Sequence, residues 1–118
     1  MFMRSTRAAA VALVFISGLA TAPPAQAAVV VRGFQTNWSP TAVSIGRGGQ
    51  VQWRAVTGDH DVHAYGGNWH YARNLPGGAT TTARTFDKRG TYRFYCTIHG
   101  HLRNGHCSGM CGRVVVSG

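Results

Sequence analysis

The chain has 118 residues with 12 basic and 3 acidic side chains, giving a formal charge of +9 with histidines counted as neutral. This length fits one domain, and three cysteines are too few for a small domain held together mainly by disulfides. The basic residues are scattered and accompany no nucleic-acid-binding motif, so the charge favours acidic partners and argues against nucleic acid.

Residues 1–27 have the three parts of a secretory signal peptide. Two arginines supply the positive end, an apolar run covers 8–20, and a final Ala-Gln-Ala places small residues where a signal peptidase cleaves. The run is short for crossing ~30 Å of hydrocarbon, which argues against a membrane anchor. We therefore predict cleavage after Ala27.

The predicted mature domain is 28–118. Its charge is +7, because the signal peptide removes two basic residues and no acidic residue. A positive surface favours a partner with an acidic surface. We expect a secreted or otherwise extracytoplasmic protein, for example in a cell envelope or periplasm-like space, which is a monomer without stable membrane insertion.

The mature domain shows little helical periodicity. Short runs rich in valine, threonine, tyrosine and tryptophan recur between glycine-bearing turns. This pattern predicts strands over 29–35, 41–45, 50–56, 60–65, 68–73, 80–86, 91–96 and 112–116. In the third of them, one apolar face is formed by Val51, Trp53 and Ala55. Such short strands favour an all-β fold, an antiparallel sandwich or barrel, over a small irregular disulfide-held domain.

The strand predicted over 91–96 places a cysteine in the core. Tyr92, Phe94 and Cys96 share one face, whereas Arg93 marks the other face as the wetter one. We therefore expect the thiol of Cys96 to point inward. A buried thiol in an oxidising compartment needs protection or a function.

The other two cysteines lie close together near the end of the chain. Cys107 and Cys111 enclose three residues of a glycine-bearing loop, and we infer a disulfide between them that leaves Cys96 as a thiol. The enclosed loop is short, so the bridge shapes the chain locally more than it stabilises it. Pairing of Cys96 with either of the others is the alternative, because spacing does not fix connectivity.

Four side chains offer a soft, mixed set of metal donors. His99 follows Cys96 by three positions, Met110 lies between the two loop cysteines, and His60 begins a predicted strand. One thiolate and two imidazoles with a weak axial methionine form the blue-copper arrangement. Each residue alone has a commoner structural interpretation, but together they predict copper that cycles between Cu(I) and Cu(II). Binding through thiolate also explains an unpaired Cys96.

The remaining histidines are weaker candidates. His63 lies three residues after His60 and faces the opposite side of an extended strand, and His70 has no ligand spacing. His101 and His106 lie in the segment 100–109, where we expect a solvated loop. Either of these two is an alternative to Met110 as the axial ligand.

At these residues the chain resembles the small cupredoxins of the plastocyanin, amicyanin and azurin type. The resemblance spans roughly residues 31–117 and is carried by "AVSIGRGGQVQW", "TGDHDVH", "RTFDKRGTYRFYCTIHG" and "GMCGRVVV". It implies a Greek-key β-sandwich and one type 1 copper. The ligands that it implies are His60, Cys96, His99 and Met110.

Two positions depart from the pattern of that family. Ten residues, 100–109, intervene between His99 and Met110, so this insert has to leave the site and return, and the inferred cysteine bridge is a plausible clip. Asp61 stands where plastocyanins usually have asparagine, which places an acid beside the first ligand.

The resemblance implies one-electron transfer between redox partners and no enzymatic activity. A copper carrier or sequestering protein uses the same ligands but exchanges the metal, and an insert bearing histidines favours it. A metal-free, basic secreted binding module is the third hypothesis. Zinc also suits cysteine and histidine ligands.

Overall fold

The computed structural model describes residues 27–118, so residues 1–26, nearly all of the predicted signal peptide, lie outside the described residues. Within 27–118 there are strands and turns without helix, and thus no helix with the length and apolar character needed to cross a bilayer. The strands are β1 (Val29–Gly33), β2 (Trp38–Ser39), β3 (Ala42–Gly46), β4 (Gly49–Ala55), β5 (His60–Tyr65), β6 (Ala72–Leu75), β7 (Thr81–Phe86), β8 (Gly90–Arg103) and β9 (His106–Ser117).

These strands form a sandwich of two sheets. One sheet has the order β2-β1-β4-β7 and the other has the order β3-β9-β8-β5-β6. Most neighbours are antiparallel, but β1 pairs in parallel with β4, and β3 pairs in parallel with β9. The all-β sandwich predicted from the sequence is confirmed, although two of its strand pairs are parallel rather than antiparallel. Parallel pairs arise because the chain crosses between the sheets before returning beside an earlier strand.

The core lies between the two sheets. The predicted inner face of β4 is confirmed, because Trp53 is fully buried together with its neighbours on that face. The predicted inner face of β8 is confirmed as well, since Phe94 and Cys96 are both 0% exposed. Trp53 meets Phe94 edge to face with ring centroids 5.2 Å apart, an arrangement that adds about 1 kcal/mol to the stabilisation from burial alone.

Two short segments differ from the predicted strands. β6 begins only at Ala72, so the strand predicted over 68–73 is wrong for most of its length. Trp69 and Tyr71 are nevertheless buried and stack with an interplanar angle of 10°. The aromatic residues that suggested a strand are therefore there for packing in the core, not for strand pairing. β2 was not predicted, because two residues are too few to show an alternating pattern.

The largest difference concerns the insert 100–109, which was predicted as a solvated loop: most of its residues are exposed, but they are paired as strands rather than forming a loop. β8 and β9 continue through it as an antiparallel hairpin in which Arg103 pairs with His106. The turn is Asn104-Gly105, with φ values of 50° and 77°. Asn-Gly is the preferred pair for a two-residue hairpin turn, because both positions need positive φ.

Candidate metal centre

The candidate site is centred on the free thiol of Cys96. Its Sγ lies 3.8 Å from Nδ1 of His60 and 3.8 Å from Nδ1 of His99, and the three donor atoms all lie within 4.8 Å of one another. His60 is the first residue of β5, which pairs with β8, and His99 follows Cys96 within β8 itself. The sheet therefore brings together three of the residues predicted from the sequence.

The ring of His60 is fixed by the chain around it. Its Nε2 lies 2.7 Å from the carbonyl oxygen of Thr57. Because a carbonyl only accepts, Nε2 carries the hydrogen and Nδ1 presents a lone pair toward the sulfur. The ring of Trp38 packs against it at a centroid distance of 5.7 Å, and a side chain at Gly33 would come within 3.0 Å of it. The imidazole is oriented by these contacts without help from a metal.

The spacing of the donors fits a metal ion. A metal ion typically lies about 2.0–2.1 Å from an imidazole nitrogen and about 2.3 Å from a thiolate sulfur. With these bond lengths the nitrogen and the sulfur are about 3.8 Å apart when the nitrogen–metal–sulfur angle is 120°, and about 3.6 Å apart when that angle is tetrahedral. Both observed separations are 3.8 Å. One thiolate with two imidazoles in such a plane is the donor set of blue copper. The residues present therefore fit copper.

An irregularity in the β8–β9 ladder places a methionine of β9 opposite the residues of β8 that form the site. The regular ladder ends at Tyr95 and resumes at Gly100. Residues 96–99 are therefore opposite a single residue of β9, Met110, whose side chain is fully buried. The hairpin thus accommodates ten additional residues and still returns the methionine beside Cys96 and His99.

Close backbone approach makes two glycines necessary at this bulge. A Cβ on Gly109, where φ is 81°, would lie 2.5 Å from the carbonyl oxygen of His99. A Cβ on Gly100 would lie 2.8 Å from the carbonyl oxygen of Cys96. Contacts this short do not occur for real side chains, and positive φ is costly for any residue other than glycine. The two strands can close over the site only with glycine at both positions.

A disulfide joins Cys107 to Cys111, and Cys96 remains free. Both bridged residues lie on β9, with Cα atoms only 6.1 Å apart. Four residues of a regular strand span about 13 Å, so β9 is bent sharply across the segment 108–110. The bridge holds this bend at the base of the hairpin, next to Met110.

Asp61 ties β5 to the residue that follows the thiol. The backbone N–H of Thr97 donates to its Oδ1 at 2.6 Å, and the Thr97 hydroxyl donates to its Oδ2. His63 Nε2 lies 3.6 Å from the same Oδ2. Asp61 is only 8% exposed, so these contacts compensate for the burial of a carboxylate. They also hold the backbone beside Cys96 in place.

Several large apolar side chains are exposed next to the site. His99 is half-buried, whereas His60 is 2% exposed, so His99 is the more accessible imidazole. Ile98 and Leu102, on either side of His99 in β8, are 53% and 40% exposed. The segments that adjoin His60 expose two more large apolar side chains, Phe34 and Val56.

The remaining histidines lie outside the three-residue group. His63 is half-exposed beside Asp61, and His70, His101 and His106 are exposed. Neither the Thr57 carbonyl nor Trp38 as a wall of the site was predicted from the sequence. A backbone carbonyl has no residue-type signal, and Trp38 reaches the site only through the folding of β2 against β1.

Solved structures of copper proteins have the same fold. An oxidised amicyanin variant superimposes with a TM-score of 0.61 at 28% identity, covering 81% of this chain and 88% of that chain. A purple cupredoxin from Nitrosopumilus maritimus gives a TM-score of 0.59 at 18% identity, covering 75% of this chain and 99% of that chain.

A copper-containing nitrite reductase from Thermus scotoductus SA-01 is similar over 78% of this chain, with a TM-score of 0.62 and 20% identity. This chain spans only 23% of that enzyme. No protein-family model and no curated protein matches the chain.

Proposed function

We propose that this chain, a cupredoxin-like blue-copper protein, carries single electrons between redox partners outside the cytoplasm. The observation that supports this most directly is the position of Nδ1 of both His60 and His99 at 3.8 Å from the free thiol of Cys96. The amicyanin likeness, at 28% identity, points to the same chemistry.

The residues that would hold copper are His60, Cys96 and His99, with Met110 as a fourth, weaker donor. Copper bound there supplies a centre that takes up and releases one electron. The packing around His60 and the hydrogen bonds that Thr97 donates to Asp61 hold the donors in one arrangement. A site that keeps its geometry in both oxidation states needs little reorganisation, which favours fast transfer.

The proposed exit for the electron is His99. It is the more accessible imidazole, and Ile98 and Leu102 give it an apolar surround. Electron-transfer encounters are typically small and transient, and a small apolar patch suits them. The basic surface favours an acidic partner, and we expect association to slow as ionic strength rises.

The proposal also covers export, oligomeric state and the absence of catalysis. We propose that residues 1–27 direct export and that the mature chain is a monomer. We also propose that it is an electron carrier rather than an enzyme. Near-complete burial of His60 and Cys96 restricts the access of a substrate to the thiol. The same burial disfavours a role in copper delivery, because a metal that is handed on needs ligands that a recipient can reach.

Addition of Cu(II) to the purified protein tests the proposal. We expect one equivalent to produce an intense visible thiolate-to-copper band, and the variant Cys96→Ser to lack it. The double variant Cys107→Ser/Cys111→Ser is the matched control, because it removes two sulfurs outside the group and should keep the band. Absence of the band in the unaltered protein rejects the site. A coloured protein that loses copper rapidly to a chelator and cycles poorly indicates a copper carrier instead.

A further inference from the structure

The outer face of the β8–β9 sheet has a small basic pocket beside the disulfide. Its volume is about 120 Å³. The residues that line it are Thr41, Tyr65, Arg93, Cys111, Gly112 and Arg113. Strand register independently places Arg93 opposite Arg113 and beside Tyr65, so the two arginines share this face.

The charge of this pocket is uncompensated. Within residues 27–118 neither Arg93 nor Arg113 forms an ion pair. None of the residues that line the pocket is acidic. Like charges directly opposite each other on neighbouring strands are unfavourable. An anion placed between the two guanidinium groups would relieve their repulsion.

One end of a disulfide lies in the wall of the same pocket, because Cys111 is one of the lining residues. Cys111 pairs with Tyr95, two positions from the Arg93–Arg113 pair, so its side chain lies on the face that carries the arginines. Both Cys107 and Cys111 are partly exposed. Access and a positive environment both favour attack of a thiolate on a disulfide.

We propose that this pocket binds small thiols that carry a carboxylate and directs them to the sulfur of Cys111. The carboxylate lies between the arginines, and the thiolate attacks Cys111 Sγ. The Cys107–Cys111 bond breaks, its electron pair stays on the Cys107 sulfur, and that sulfur takes a proton from solvent. A mixed disulfide at Cys111 results.

A second small thiol completes the exchange. Its thiolate attacks the outer sulfur of the mixed disulfide, and Cys111 leaves as a thiolate that is then protonated. The bridge is reduced to two thiols, and two small thiols are oxidised to one small disulfide. No other oxidant or reductant takes part, and the reaction does not require copper at Cys96.

The test compares 3-mercaptopropionate with cysteamine as probes of opposite charge. Each rate of bridge opening is measured by mass spectrometry and divided by the rate on the isolated cyclic peptide CSGMC, which corrects for the reactivity of each thiol. We expect the corrected rate to be roughly three- to tenfold higher for the anionic thiol. This preference should fall as salt is added.

The double variant Arg93→Gln/Arg113→Gln should lose the preference. The matched control is Arg32→Gln/Arg54→Gln, which removes two exposed arginines that also face each other across neighbouring strands, in the other sheet. This control should keep the preference. Equal corrected rates for the two thiols in the unaltered protein, a bridge that neither thiol opens, or an equal loss in both double variants would overturn the proposal.

Discussion

The two sides of the candidate metal centre are built in different ways. His60 and Cys96 belong to the body of the sandwich, where packing between the sheets buries both almost completely. The chain arrives at Met110 only after passing through the hairpin extension over 100–109. This extension joins the body at a bulge with two glycines and a disulfide. The body thus positions ligands by side-chain packing, whereas the extension depends on particular backbone and covalent features. Substitutions in the two regions should therefore act differently.

The largest effect on stability is expected at the base of the extension. Gly109→Ala introduces a Cβ at 2.5 Å from the His99 carbonyl oxygen at a φ of 81°, and we expect a loss of roughly 3 kcal/mol. The control is Gly105→Ala at the tip, where φ is 77° but the space is open, with an expected loss of about 1 kcal/mol. Urea unfolding measures both. Equal losses would show that the close approach at the base does not matter.

Removal of the bridge should have the next largest effect. For Cys107→Ser/Cys111→Ser, the entropy of closing so short a loop predicts a loss of about 2 kcal/mol. Because the bridge bends β9 rather than joining the sheets, hydrogen exchange should rise in the hairpin while the core strands keep their relative protection. A uniform rise throughout the sandwich contradicts the distinction between the two regions.

A change in the body should cost somewhat less. Thr97→Val removes the hydroxyl that donates to Asp61, so a buried carboxylate oxygen loses a partner at an expected cost of about 1.5 kcal/mol. Thr85→Val on the exposed side of β7 is the control, and its free energy of unfolding should change little. If Thr97→Val lost no stability, or no more than Thr85→Val, the hydrogen bonds to Asp61 would not contribute to holding β8 in place.

The smallest change in stability is expected for the axial candidate. Met110→Leu nearly conserves volume, so the loss should stay near 1 kcal/mol. The copper protein should keep its visible band, because the thiolate and the imidazoles are untouched, but its reduction potential should shift. Voltammetry decides this point, and an unchanged potential would remove Met110 from the proposed ligands.

The sequence was most informative where side chains follow a period. Alternation identified the buried faces of β4 and β8, and the burial of Cys96 followed directly from it. The hairpin was predicted as a loop although Asn104-Gly105 is a strong turn signal, because its flanking residues are mostly polar and do not alternate with apolar ones. The position of the Thr57 carbonyl and the bulge at 96–99 are properties of the folded backbone. They could not be predicted from the sequence, because neither is associated with a particular residue type.

The packing of Trp38 on His60 has a practical consequence. An indole in contact with a ligand ring is an internal optical probe, because a bound Cu(II) ion quenches the emission of a nearby tryptophan. Trp69 packs on Phe86 and Tyr92 rather than on a ligand ring, and should stay comparatively bright. Ultraviolet fluorescence can thus follow occupancy of the centre in dilute solution, without any added dye.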